Sequence, residues 1–437
     1  MQAGISPQDS FTELPAAGVR LRMAETRGSI IVSGKIAIVG AGPSGCYLAQ
    51  ALLKSRPDLQ VDLIDALPVP FGLARYGVAA DHQGTKAVTR QFSRIFERQG
   101  ARFFGNLRIG RDVPLEQLRA AYDATVLAAG LSADRRLNIP GEDLPGVHGS
   151  AKLTRALNEH PQAVSLPDLG SHPVILGNGN VALDLLRLMC KTPAELDGSD
   201  LGPGPTAWLA ANRIERLTIV GRSPAAHAKF DPVMVRELGK LSNVSIEVEK
   251  FAPSDDPDTQ KRQQALTDID GHGEGPVRVV FRFGLQPTAI EGVDRVTGLA
   301  VEGTGGRDVI KATSIITAIG FASAGDLGRE ALLSGGALPD GKLDDGLYGA
   351  GWFRHGPRGT IAQSRSDAQA TAAMILKELS IDPARVGNEI FAGLPELIDF
   401  AGWQRIDAAE QALAAPSRCR RKFTSTDDLL HAARQRD

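Results

Sequence analysis

From residue 35 onward, short apolar runs alternate with amphipathic stretches of helical period. Lys35-Ile36-Ala37-Ile38-Val39 is one such run, and it ends in Gly40-Ala41-Gly42-Pro43-Ser44-Gly45. Behind it Tyr47, Leu48, Ala51 and Leu52 recur at the spacing of one helix face, and Val61-Asp62-Leu63-Ile64-Asp65 forms a second run. Strand, glycine turn, helix and strand make a βαβ unit. The same order returns in Pro173-Val174-Ile175-Leu176, the turn Gly177-Asn178-Gly179-Asn180-Val181-Ala182, a helix from Leu183 to Met189, and the strand Leu217-Thr218-Ile219-Val220. Two such units predict an α/β protein with two Rossmann-like dinucleotide-binding domains. Each places its nucleotide at the C-terminal ends of parallel strands.

Ala124-Thr125-Val126-Leu127-Ala128-Ala129-Gly130 reads as a buried strand ending on a glycine turn, and residues 312–320 nearly repeat it. The chain is expected to cross between domains after each, through a linker at Ile139-Pro140-Gly141 and another from Gly320 to Gly325. The domain at 141–324 is then inserted into one built from 34–140 and 325–437, the latter carrying a C-terminal tail. Residues 1–33 read as a loose N-terminal extension, whose Asp9, Glu13 and Glu25 argue against a transit peptide. Residues 192–212 and 252–275 are polar and rich in Gly, Pro and Asp, and they read as surface insertions.

Composition narrows the class. The 437 residues suit two cores rather than one, and 42% hydrophobic with 23% charged is an ordinary globular balance. A formal net charge of −2 gives no global field for nucleic acid. No run of about 18 apolar residues predicts a membrane span. Cys46, Cys190 and Cys419 form no C-x-x-C pair, so no redox dithiol or metal ligand set is read, and free thiols fit a cytoplasmic protein.

The glycine turns carry the first chemistry. Gly40 permits the tight turn, Gly42 lets backbone approach a pyrophosphate, and Gly45 lets the helix pack on the strand. Asp65, 20 residues after Gly45, stands where a carboxylate accepts hydrogen bonds from an adenosine ribose. The second unit ends instead in Gly221-Arg222-Ser223, with no carboxylate. Arg222 could form charge-assisted bonds to a 2′-phosphate, which favours NADPH over NADH. Read from the residues alone, His82 is a turn or surface histidine, Glu237 a solvated salt-bridge partner on a helical stretch from Val233 to Leu241, and Trp352 a core residue.

The block Pro68-Val69-Pro70-Phe71-Gly72-Leu73-Ala74-Arg75-Tyr76-Gly77-Val78, followed by Asp81-His82, resembles the adrenodoxin reductase family of ferredoxin–NADP reductases. So do the second glycine turn through Asp184, Ile139-Pro140-Gly141-Glu142, and Gly351-Trp352 with residues 356–361. The resemblance covers about residue 34 to beyond 370. It implies FAD contacts at Ser44, Asp65, Leu73, Ile109, Trp352, Gly359, Thr360 and Ile361. It implies a pyridine nucleotide at Asn178, Gly179, Asn180, Val181 and Arg222, with Ser223 beside it. It also places His82 and Glu237 near the flavin and nicotinamide rings. Where the family usually has a second arginine and a glutamate, this chain has Ser223 and Met234. NADP(H) is therefore expected with softened discrimination, NADH being possible.

The implied activity is hydride transfer from NADPH to FAD, then single electrons to a ferredoxin-type iron–sulfur protein that serves an oxygenase. Lys261-Arg262 would lie where the family docks acidic ferredoxins, although as residues they read as a solvated loop. The alternatives are a flavin-dependent monooxygenase acting on a small substrate and a non-catalytic nucleotide-binding assembly protein. The oligomeric state is not legible.

Overall fold

The computed structural model describes residues 33–325, 327–334, 341–359 and 361–435. The expected N-terminal extension, apart from Ser33, and Thr360 lie outside the described residues.

The first βαβ unit runs from β1 (Lys35–Val39) through the helix Pro43–Ser55 to β2 (Gln60–Ile64). Then come β3 (Arg102–Phe104) and β4 (Ala124–Leu127). The short β5 (Ala133–Asp134) leads to β6 (Val147–Gly149), β7 (Pro173–Leu176), β8 (Arg216–Gly221), β9 (Val244–Val248) and β10 (Val277–Phe283). A meander of β11 (Gln286–Gly292), β12 (Val296–Gly303) and β13 (Gly306–Lys311) precedes β14 (Ser314–Thr317). The last strands are β15 (Phe321–Ala322), β16 (Lys342–Asp344) and β17 (Leu347–Gly349).

Two six-stranded sheets result, in the orders β16-β17-β4-β1-β2-β3 and β6-β14-β7-β8-β10-β9. In the first sheet only β16 runs antiparallel to its neighbour. The first sheet draws on both ends of the chain, and the second on the middle. β1, β4, β7 and β14 are buried almost throughout, as strands covered on both faces must be. β1 lies between β2 and β4, and β7 between β8 and β14. Each sheet therefore opens a crevice at the C-terminal end of its central strand. β5 pairs antiparallel with β15, so the two crossings run side by side.

Three segments differ from their sequence reading. Ile139-Pro140-Gly141 is not a free linker: Ile290 donates to the Pro140 carbonyl at 2.8 Å, and Ile139 packs against the core that contains Val174 and Ile290. Residues 252–275 contain the helix Pro257–Ile269, which buries Thr259, Gln263, Ala265, Leu266 and Ile269. Its inward polar residue is satisfied locally, since Gln263 donates to the Ala252 carbonyl at 2.7 Å and accepts from the Ser254 amide at 3.0 Å. Residues 192–212 bury Leu196, Ser199, Asp200 and Leu201. No helix among the described residues is long and apolar enough to cross a membrane.

Candidate functional site

A cleft of about 1650 Å³ runs along the C-terminal edge of the first sheet to the helices of the second. That exceeds the usual range of roughly 300–1,000 Å³ for one drug-sized ligand. Its floor is the first glycine turn. Gly40 has φ +113°, and a Cβ there would lie 2.4 Å from the Ala128 carbonyl oxygen. A Cβ on Gly45 would lie 2.0 Å from the Gly40 oxygen, so this glycine seats the helix on the strand end beneath the cleft. Gly42 is different: its nearest neighbour would be Gly72 Cα at 3.9 Å, leaving the backbone open. Gly42 also caps the helix Pro43–Ser55 without a side-chain bond, which leaves the first-turn N–H groups free to meet an anion.

Asp65 ends β2 beside this turn. Its carboxylate accepts from the Ala41 amide and the Leu67 amide, each at 3.0 Å. Burial pushes the group up to about 6, against the pull of those two amides and Arg108. The same side chain thus shapes the glycine turn and keeps an oxygen face toward the cleft. Ser44, Leu73, Ile109, Gly359 and Ile361 also line it. A Cβ on Gly351 would lie 2.0 Å from Ser44 Oγ, so the helix Gly351–His355 starts directly against Ser44. Trp352 is thereby held at the cleft, its indole N–H donating to the Arg358 carbonyl at 3.1 Å and its ring 5.2 Å from that of Phe321. An open phosphate turn, a ribose-height carboxylate and a flanking indole fit an elongated flavin dinucleotide.

The second turn repeats the first. Gly177 has φ +119°, with a Cβ position 2.2 Å from the Ala318 carbonyl oxygen, and Gly179 has nothing within 4 Å of its own. Gly179 caps the helix Asn180–Cys190, again without a side-chain bond. Asn180 and Val181 line the cleft, and Asn180 Oδ1 accepts from the Asp231 amide at 2.8 Å. Asn178 is buried against Gly221, with Nδ2 unpartnered among the described residues. Arg222 is exposed beyond β8, and Ser223 is half-buried, its carbonyl accepting from Gly284 at 3.1 Å. Asn178, Gly179, Arg222 and Ser223 are not among the residues that line the cleft. Met234 does line it, presenting a thioether to the cleft.

Between the two turns the structure brings His82 and Glu237 together. His82 Nε2 lies 3.2 Å from Glu237 Oε2, and Nδ1 lies 3.4 Å from Asp184 Oδ1. Asp184 in turn pairs with Arg187 at 2.8 Å, and Arg187 pairs with Asp81, which Lys191 also holds at 2.6 Å. Burial raises Asp184 above the usual carboxylate range despite Arg187 and His82. Burial opposes ionisation of Asp81 too, but Arg187 and Lys191 prevail and hold it low. An imidazole between two carboxylates is fixed in orientation and can hold or pass a proton at either nitrogen.

Sequence reasoning gave no role to Asp81, Asp184 or Arg187. The i,i+3 spacing of Asp184 and Arg187 on one helix was the available signal. The sequence also gave no sign of what the block ending at Val78 packs against. Arg75 is buried against Glu410 at 2.5 Å and lies 5.0 Å from the Trp403 ring, while Phe71 meets Trp403 edge-on at 5.7 Å. That block is the seat of the helix Phe400–Ala412. Lys261 and Arg262 do not form a free basic patch. Lys261 pairs with Asp258 at 3.1 Å, and Arg262 donates to the Ala226 carbonyl at 3.3 Å and to Thr259 Oγ1 at 3.1 Å.

Residues 34–197 match the pyridine nucleotide-disulphide oxidoreductase family. Cindoxin reductase of Citrobacter braakii is 40% identical over 422 residues, covering 93% of this chain and 92% of that protein. The NADPH-ferredoxin reductase FprA of Mycobacterium tuberculosis is 33% identical, covering 90% and 98%. The mitochondrial NADPH:adrenodoxin oxidoreductase of Arabidopsis thaliana is 30% identical, covering 91% and 95%. The structure of Mycobacterium tuberculosis FprA in complex with NADPH superimposes with a TM-score of 0.81 at 30% identity, over 92% of this chain and 99% of that one. With both nucleotide turns, the specific block at 68–78 and full-length likeness in sequence and fold, the chain belongs to the adrenodoxin reductase and FprA-like family of NADPH–ferredoxin reductases.

Proposed function

We propose that this chain takes hydride from NADPH into FAD and delivers single electrons to a ferredoxin-type iron–sulfur protein. The observation that carries the proposal is one continuous cleft joining two phosphate-binding turns, with His82 and Glu237 in contact where the two halves meet. FAD, when bound, supplies the conversion between a two-electron donor and a one-electron acceptor.

The protein's part is to bind and orient. The helix N-terminus behind Gly42 would hold the flavin pyrophosphate, Asp65 would take the ribose hydroxyls, and Trp352 would flank the flavin where it lines the cleft. Asn180 and Val181 carry the nicotinamide nucleotide's phosphates, and Arg222, exposed and without an ion pair or hydrogen bond among the described residues, meets the 2′-phosphate. His82 and Glu237 align the rings. The division into a flavin domain at 34–140 and 325–437 and a nucleotide domain at 141–324 follows from the same reading. A net charge of −2 gives no global field for nucleic acid, and three free cysteines support a reducing cytoplasm.

The test is cytochrome c reduction by NADPH with and without added ferredoxin. Strong ferredoxin dependence is expected. A rate indifferent to ferredoxin, with turnover of a small oxidisable substrate instead, contradicts the proposal.

A further inference from the structure

His82 sits on a short segment that the rest of the chain holds at both ends. At one end the Asp81 carboxylate is buried between Arg187, in the helix Asn180–Cys190, and Lys191, the residue that ends it. At the other end Lys86 is buried, its ammonium 2.7 Å and 3.0 Å from the two oxygens of Asp200 and 2.9 Å from Asn158 Oδ1. Asp200 also binds the segment through backbone, its amide donating to the Ala80 carbonyl at 3.0 Å. Between the anchors the His82 carbonyl accepts from Thr85 and Lys86, each at 3.1 Å, so the imidazole rides on a single closed turn.

The outer anchor is completed from the far end of the chain. Lys422 reaches Asp200 Oδ2 at 2.9 Å. Residues 417–422 lie along residues 197–200: Gly198 donates to the Ser417 carbonyl at 2.9 Å, Cys419 to the Ser199 carbonyl at 3.0 Å, and Arg418 pairs with Asp197 at 3.2 Å. The same strap is tied to the first sheet's side by Glu410, which accepts from the Arg420 guanidinium at 3.2 Å and from the Phe423 amide at 3.0 Å while pairing with Arg75. Although burial opposes it, Lys422 and Lys86 hold the Asp200 carboxyl down to about 2. Three sequence-distant segments therefore meet on one aspartate.

We propose that Asp200 and Asp81 are positioning residues for hydride transfer: with the strap 417–422 they clamp both ends of residues 81–86 and so set His82 against Glu237. The clamp rests on the reading of His82 and Glu237 as the groups beside the reacting rings. Two ionic anchors are directional where apolar packing is not, and small misplacements of an aligning group cost rate steeply. Asp200 is buried and does not line the cleft, so it acts only through the position of His82.

The test uses the FAD-loaded full chain. The hydrogen-bonded amides of His82, Thr85, Lys86 and Ala87 in the wild type should exchange with deuterium as slowly as those of β1, because opening them breaks both anchors. Free exchange there overturns the proposal without any variant. Asp200→Asn should speed exchange in 82–88 and slow flavin reduction by NADPH, each by about tenfold, with KM for NADPH and FAD content unchanged. If that variant does not fold, Lys86→Met/Asp200→Leu/Lys422→Met replaces the buried charges with packed apolar groups, a change that often preserves folding. The same local signature is expected from it. Exchange and reduction within twofold of wild type overturn the clamp. So does faster exchange spread equally over β1 and β7, which marks general loosening. If NADPH fails to reduce even the wild type, the proposed function falls, while the exchange measurements still judge the clamp.

Discussion

Asp65→Asn separates the charge of the ribose carboxylate from its shape. In the folded chain Asp65 accepts two backbone amides at 3.0 Å, yet burial lifts its pKa to about 6. On the proposed role of Asp65 as acceptor for the ribose hydroxyls, its ionised form binds FAD, so acid should weaken binding. With a pKa of about 6 the apparent Kd rises roughly elevenfold at pH 5, about 1.4 kcal/mol. Asparagine keeps one acceptor but turns an NH₂ toward the other donor. It exchanges a charge-assisted bond for a neutral or missing one, a loss of about 1.5–3 kcal/mol at pH 8. Its affinity should hardly change with pH, so the two proteins converge near pH 5.

Stability of the apoprotein runs the other way. The folded pKa is raised above that of the unfolded chain, so the contribution of Asp65 is fully present below about pH 4 and is lost as pH rises through about 6. The loss is at most about 3 kcal/mol and is absent in the variant. FAD titration of apoprotein by fluorescence quenching, with parallel thermal melts from pH 4 to 8, reads both. A wild-type Kd that is flat across this range, or an equal slope in Asp65→Asn, would refute the reasoning.

Gly45→Ala should cost about 1–3 kcal/mol, because its Cβ would lie 2.0 Å from the Gly40 oxygen and must lift the helix from the strand. Thermal melts and FAD content check it, both expected to fall. His82→Ala and Glu237→Ala should retain FAD but slow stopped-flow flavin reduction by roughly 10–100-fold, as lost alignment does; wild-type rates in both would return the pair to the surface. Ser223→Arg should raise the kcat/KM ratio of NADPH over NADH, mainly through tighter NADPH binding, with added salt eroding the gain. An unchanged ratio would mean that the 2′-phosphate is not read beside Arg222.

What was legible in the sequence is what is local. Gly40 and Gly177 announce their turns because each must approach a carbonyl that a Cβ would strike, and the strands and helices around them follow their own periods. Long-range charge pairing leaves no such trace. Asp200 sits in a polar stretch that reads as surface, yet its partners Lys86 and Lys422 lie 114 and 222 positions away and make it core. The helix Pro257–Ile269 misleads for a related reason: Thr259 and Gln263 face inward, so its buried stripe looks hydrophilic. The candidate site shows both effects. The glycine turns and Asp65 could be read from spacing, whereas the meeting of His82 with Glu237 and Asp184 depends on how the two sheets face each other.

Anaerobic double-mixing follows electrons from NADPH through the flavin to ferredoxin in one experiment. The oxidised holoprotein is mixed first with one equivalent of NADPH, then with oxidised ferredoxin, while flavin and iron–sulfur absorbance are followed together. NADPH should bleach the flavin, and the flavin should recolour as the ferredoxin is reduced, with about two one-electron acceptors reduced per NADPH. A flavin that NADPH leaves oxidised, or one that stays bleached until oxygen is admitted, would contradict this electron route.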